Sequence, residues 1–117
     1  MKTISLLSIA ETPTEQEWGL QFVKNMDPLT GMLFKFQSPR VLSFWGKNTY
    51  LCLDIAFIDH ENTIVKTERM IPLSLRSVTS GRPCCMALEV PAGTLDNNVI
   101  GKKIVVDWDK KQVIIND

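Results

Sequence analysis

The sequence predicts a mainly β protein: a single compact antiparallel β-barrel or sandwich over residues 1–117, with one short N-terminal helix. Three observations predict it. Apolar residues alternate with period two in short runs, as in Met32-Leu33-Phe34-Lys35-Phe36 and in Leu51, Leu53, Ile55 and Phe57. The strong helix-start signal, Thr12-Pro13-Thr14-Glu15, stands near the N-terminus. After it the chain is strands and turns to the end, an order that suits one barrel or sandwich with a helix packed across an opening or edge.

Residues 2–10 have strand composition. Thr12 then caps a helix, Pro13 fits its first position, and Glu15 can reach back to the cap. Trp18 and Phe22, four apart, are expected on one buried face, and Asn25-Met26-Asp27-Pro28 stops the helix near Lys24. Met32–Phe36 is a strand, Ser38-Pro39-Arg40 a turn, and Val41–Trp45 the next strand. Leu51–Phe57 follows with its four apolar residues on one face. Asp59-His60-Glu61-Asn62 turns into a strand over Thr63–Ile71, so these two form a hairpin. Pro72–Pro83 carries Ser, Thr, Gly, Arg and two prolines and reads as a long loop. Cys84–Val90 is a strand, and Pro91-Ala92-Gly93-Thr94 leads into one short helical turn at most. Ile104–Trp108 and Gln112–Ile115 flank Asp109-Lys110-Lys111 as a closing hairpin. There is no internal repeat, low-complexity tract or linker.

A chain of 117 residues suits one domain, and 44% hydrophobic with 22% charged residues is an ordinary globular composition. Its 13 basic and 13 acidic residues balance, which argues against a general nucleic-acid binder. The same balance removes the self-repulsion that opposes association, so the expectation is a monomer or a weak homodimer. No apolar run reaches the length of a membrane span, so no membrane partner is expected. Residues 1–10 contain one Lys and an apolar stretch, but Ser5 and Ser8 interrupt it and a helix start follows at once, so they read as a first strand and not as an export signal.

Cys52, Cys84 and Cys85 are an odd number with two adjacent, a poor disulfide framework. They read as reduced, packed thiols of a cytoplasmic protein. No His or further Cys supplies zinc spacing, and no phosphate-binding glycine loop or serine elbow is present, so no metal and no cofactor is expected. His60, the one histidine, sits in a turn beside Glu61 and supports no imidazole triad.

The segments Trp18-Gly19-Leu20, Gly31-Met32-Leu33-Phe34, Phe44-Trp45, Lys47-Asn48-Thr49, Leu53-Asp54-Ile55, Phe57-Ile58-Asp59 and Leu88-Glu89-Val90-Pro91-Ala92-Gly93 occur in that order. As a set they resemble the "domain of unknown function 192" family over about residues 3–108. The resemblance implies a compact β-barrel-like or sandwich fold and no established activity. Where this sequence has Gln21 and Gly46, the family pattern usually has methionines, and where it has Glu17 an arginine is common. If those methionines line a pocket, the pocket here is more open and more polar. Many bacterial members carry an export signal, which residues 1–10 do not resemble.

Asp54 is the oddest polar residue: aspartate is disfavoured in strands, yet it lies between Leu53 and Ile55. Read as structure, it accepts backbone N–H groups or an arginine (Arg40, Arg69, Arg76 or Arg82), or simply faces solvent. Read as function, it is a binding or acid/base residue in a cleft, on one surface with Gly46 and Asn48. Trp45, Lys47 and Thr49 share the core parity, which a lysine cannot readily occupy, so either a bulge or turn lies between Trp45 and Leu51 or Lys47 stands at the rim. Such a turn presents Lys47, Asn48 and Thr49 as a polar cluster beside an aromatic plate, suited to a sugar, nucleoside or carboxylate. Glu89, again a carboxylate in an apolar strand, is structural or pairs with Asp54 for general acid/base work. The leading reading is a cytoplasmic binding or accessory module for a small polar ligand, with a cleft near Trp45–Thr49 and Asp54. The alternatives are a small hydrolase- or lyase-like enzyme using Asp54, and a protein-interaction module using the 72–83 loop.

Overall fold

The alternating apolar pattern produces seven strands joined in one sheet; the computed structural model describes residues 1–117. β1 (Lys2–Ala10) leads into α1 (Pro13–Trp18), and β2 (Thr30–Phe44), β3 (Leu53–Ile58), β4 (Ile64–Met70), β5 (Val78–Pro91), β6 (Ile104–Asp107) and β7 (Gln112–Ile115) follow. The strand order is β4-β3-β5-β2-β1-β7-β6. β1 and β2 run parallel and every other neighbouring pair antiparallel. A parallel pair needs a long crossover, and residues 11–29, with α1, supply it.

α1 starts as the sequence predicts. Thr12 Oγ1 accepts from Glu15 N at 3.2 Å, and Glu15 Oε1 accepts from Thr12 N at 3.0 Å. It ends at Trp18 and not near Lys24, because Gly19 takes φ +54° and residues 19–23 continue as turns. Trp18 and Phe22 are therefore not buried on a common face. Both are about half exposed and lean on one another, ring centroids 5.6 Å apart, while Leu20 is buried in their place.

The expected turn at Ser38-Pro39-Arg40 is instead a kink inside one long β2. Its register against β5 shifts between Lys35 and Arg40 and again between Val41 and Ser43. The bend is sharp. Phe34 and Phe44 would stand about 33 Å apart on a straight strand, yet their rings meet edge to face at 4.9 Å. The expected 72–83 loop is shorter than predicted, since β5 already begins at Val78. Pairing with the far half of β2 overrides the local loop signals. Gly81 (φ +71°) and Pro83 sit in a bulge, where Ser80 Oγ accepts from Leu42 N at 2.9 Å and donates to Arg82 O at 2.7 Å.

The sheet curls until its outer strands meet, with Ile104 N donating to Asn62 O and a bridge between Thr63 and Lys103. Its concave side holds one core, including Ile4, Leu33, Ile58, Leu88 and Val113. The outer side of β3, β5 and β2 holds a second, with Phe34, Ile55 and Phe57 covered by Leu20 and by Leu42 of the bent strand. All of β3 is thus buried. Each large side chain sealed this way contributes roughly 1.5–3 kcal/mol. Adjacent Cys84 and Cys85 face different cores, as alternation along a strand requires.

Candidate functional site

The second core is not closed over its whole area. Between the α1 turn and the bend of β2 lies a pocket of about 170 Å³, walled by Trp18, Phe34, Phe44 and Trp45, with Met70, Thr49 and Glu89 further in. Three chain segments meet beside it, next to Gln21, Trp45 and Thr49. The chain turns at Gly46–Thr49, where Thr49 N donates to Gly46 O at 3.0 Å. Phe22 N donates to Asn48 O at 2.8 Å and Leu73 N to Thr49 O at 3.0 Å. Phe22, Asn48 and Leu73 all have positive φ (65°, 54° and 62°). Asn tolerates this region, but Phe and Leu do so at a cost, so the surrounding bonds hold strained backbone beside the pocket.

Gly46 is required for that assembly. A Cβ there would lie 2.5 Å from Ile71 O, and Gly46 N donates to Ser74 O at 2.7 Å. The position cannot carry the methionine common in the family pattern unless backbone moves. Gln21 and Glu17, two other departures from that pattern, both line the pocket.

Glu89 is the decisive group. It lies on β5 between Met32 of β2 and Ile55 of β3. Only 3% of its surface is exposed, and neither a hydrogen bond nor a neighbouring charge acts on its carboxyl. Burial alone pushes its pKa from 4.5 up to about 8. At neutral pH it is therefore a protonated carboxyl in an aromatic pocket.

The predicted site residues divide into separate places. Trp45, Thr49 and Glu89 line this pocket. Lys47 and Asn48 line an adjoining groove that shares Glu17, Trp18, Gln21 and Trp45 with the pocket, and there Lys47 Nζ stands 5.4 Å from the indole centroid. The expected bulge or turn between Trp45 and Leu51 is the Gly46–Thr49 turn, so strand parity does not carry through it. Asp54 consequently does not share a surface with Gly46 and Asn48. It lines a hollow with Thr67, Arg69 and Asn97. There Arg69 Nε donates to Asp54 Oδ1 at 2.9 Å and Gly93 N to Oδ2 at 2.8 Å. That carboxylate raises the pKa of Arg69, through the hydrogen bond first and its charge second. Asp54 and Glu89 do not meet.

Sequence reasoning missed Trp18, Phe44, Ser43 and Gln16 as pocket residues, whereas Gln21 stands at a position where the family resemblance raised a pocket. Only the glycine after Trp18, which ends the helix early, carried a signal for the first. Of the 72–83 segment, Leu73 and Leu75 are exposed in the 71–77 turn, while Val78 pairs with Phe44.

No curated protein matches the chain significantly. The chain is similar to a crystal structure from Sinorhizobium meliloti 1021, provisionally described as a transcription regulator. They share 30% identity, the match covers 97% of this chain and 90% of that one, and the TM-score is 0.77. It is also similar to a protein of unknown function from Novosphingobium aromaticivorans DSM 12444, with 26% identity, 78% and 71% coverage and a TM-score of 0.72. The family model of DUF192, described as uncharacterized ACR, matches residues 2–108, and the chain belongs to that family.

Proposed function

We propose that this protein is a binding module for a small polar ligand, held in the pocket between Trp18 and Trp45 with Glu89 at its floor. One observation carries the reading: a buried carboxyl with no partner in the protein, lining a cavity. A ligand that bonds to it gains a hydrogen bond in a desolvated site, worth about 0.5–1.5 kcal/mol. The aromatic walls supply contact area, and the few polar groups supply orientation, as small-molecule sites require. The role assigned to the Asp54 cleft thereby moves to Glu89, and the Asp54–Arg69–Gly93 arrangement supports a structural part for Asp54.

A second reading is a small acid/base enzyme with Glu89, instead of Asp54, as the general acid. The observation favouring it is the carboxyl's pKa of about 8, suited to giving up a proton near neutral pH. The Sinorhizobium relative's description suggests gene regulation; a net charge of zero favours a ligand-sensing part in such a role over direct, extended DNA contact.

The test is a screen of small cationic, anionic and neutral fragments by two-dimensional NMR of the 15N-labelled protein. We expect shifts of the Trp18 and Trp45 indole signals, absent in Glu89→Gln. Shifts confined to the Leu73–Leu75 turn would contradict the pocket and favour protein interaction.

A further inference from the structure

We propose that the ligand is a small organic cation, a primary ammonium whose charged end pairs with Glu89 and whose carbon chain lies between the indoles of Trp18 and Trp45. The proposal rests on the pocket reading above and specifies its ligand class.

The first ground is charge. The lining contains two carboxyl groups, Glu89 and Glu17, and no lysine, arginine or histidine. From the helix side Glu17 lines the pocket; β2 and β4 present the uncharged Phe34, Ser43, Phe44 and Met70; the turn contributes Thr49, and Lys47 lies in the adjoining groove at Trp45. An anion would meet two acidic groups and no countercharge. An ammonium meets a carboxylate it can pair with in a desolvated site, where a charge-assisted hydrogen bond is strongest.

The second ground is hydrogen-bond polarity. Two of the amide donors around the pocket are already engaged. Gln16 Nε2 donates to Lys35 O at 2.8 Å, and Gln21 Nε2 donates to Glu17 O at 3.3 Å. The Thr49 hydroxyl gives its hydrogen to Lys47 O at 3.2 Å, which leaves its oxygen lone pairs as acceptors. Gln16 Oε1, Thr49 Oγ1 and the Glu89 carboxyl therefore offer acceptors, against the indole N–H groups, the Ser43 hydroxyl and the Glu89 O–H as donors, the last of which is lost when the carboxyl ionises. Such a surface selects a donor-rich guest, and an R–NH3⁺ group has three donors and no acceptor. The third ground is the walls. Four aromatic rings line one small cavity, and Trp45 already carries the Lys47 ammonium at 5.4 Å, so the indole is placed to attract a cation.

Protons balance simply. The ligand enters as R–NH3⁺, the Glu89 carboxyl releases its proton to the buffer, and the carboxylate formed pairs with the ammonium. Binding near pH 7 is thus coupled to release of close to one proton.

The experiment compares n-butylammonium, n-butanol and butyrate by NMR titration of the Trp18 and Trp45 indoles. The n-butylammonium titration is then repeated by calorimetry in phosphate and HEPES, whose ionisation heats differ. We expect n-butylammonium to bind at least tenfold more tightly than the other two and to release a proton, and Glu89→Gln to lose both the preference and the release. Trp45→Leu should weaken binding while keeping the release. Equal or tighter binding of butanol or butyrate at the indoles overturns the cation and leaves the pocket standing. Binding of none of the three, with both indoles unmoved, overturns both. Binding of n-butylammonium without proton release overturns the pairing with Glu89.

Discussion

Asp54 and Glu89 occupy neighbouring strands yet face opposite sides of the sheet. Asp54 pairs in register with Val90 of the concave core, and Glu89 with Ile55 of the outer core. Two carboxylates, each placed between apolar neighbours in the sequence, therefore have opposite circumstances. One is bonded by an arginine and a backbone N–H, and the other is bonded by nothing in the protein.

For Asp54 the consequence is structural. Asp54→Asn keeps the shape but removes the charge that Arg69 and Gly93 N bond to. We expect a loss of roughly 1–3 kcal/mol in urea unfolding. Pocket binding should be unchanged. An unaltered midpoint would contradict the structural role.

For Glu89 the pH dependence has a definite sign. An unfolded glutamate ionises near 4.5, whereas the folded carboxyl holds its proton up to about 8. Across that interval the folded state binds a proton that the unfolded state has released. This group's contribution is full below 4.5 and is lost as pH rises towards 8, on the order of 5 kcal/mol in all. Glu89→Gln should remove that slope and be more stable than the parent at pH 8.5. Urea midpoints at pH 5, 7 and 8.5 check it, and parallel profiles for the two proteins would contradict it.

At the helix start, Thr12→Ala removes the oxygen that accepts from Glu15 N. It should cost about 1 kcal/mol, read by denaturant unfolding. No change would mean that the cap does not hold α1.

Beside the pocket, Gly46→Ala would drive a Cβ against Ile71 O at 2.5 Å. The backbone has to shift, at a cost of about 1–3 kcal/mol. The shift should also alter the Trp45 fluorescence, because Trp45 adjoins the displaced turn. A variant with parental stability and emission would show that the turn is looser than described.

The local features of this fold were legible. The Thr12/Glu15 capping box, the Leu53–Phe57 alternation and the closing hairpin each depend on neighbouring residues, and each formed where the pattern indicated. What was not legible depends on distant pairing. Pro72–Pro83 looked like a loop because Gly81 and Pro83 are local breakers, but half of it is recruited as strand by β2. Ser38-Pro39-Arg40 looked like a turn between two strands, and only the Phe34–Phe44 contact reveals a strand folded back on itself. The parallel pairing of β1 with β2 leaves no mark in either strand's alternation. The pocket failed for the same reason: Trp18, Trp45 and Glu89 are far apart in sequence, and Glu89 gave only the general signal of a carboxylate in an apolar strand. Carrying strand parity through Gly46–Thr49 then assigned Asp54 to the wrong surface.

The most direct test of the pocket is the titration of Glu89 itself, by NMR of 13Cδ-labelled glutamate with Glu89→Gln to assign the signal. The account predicts one glutamate that titrates at about 8, well above the others, and whose midpoint falls when n-butylammonium is added. A Glu89 signal that titrates with the ordinary glutamates, near about 4.3, would contradict it.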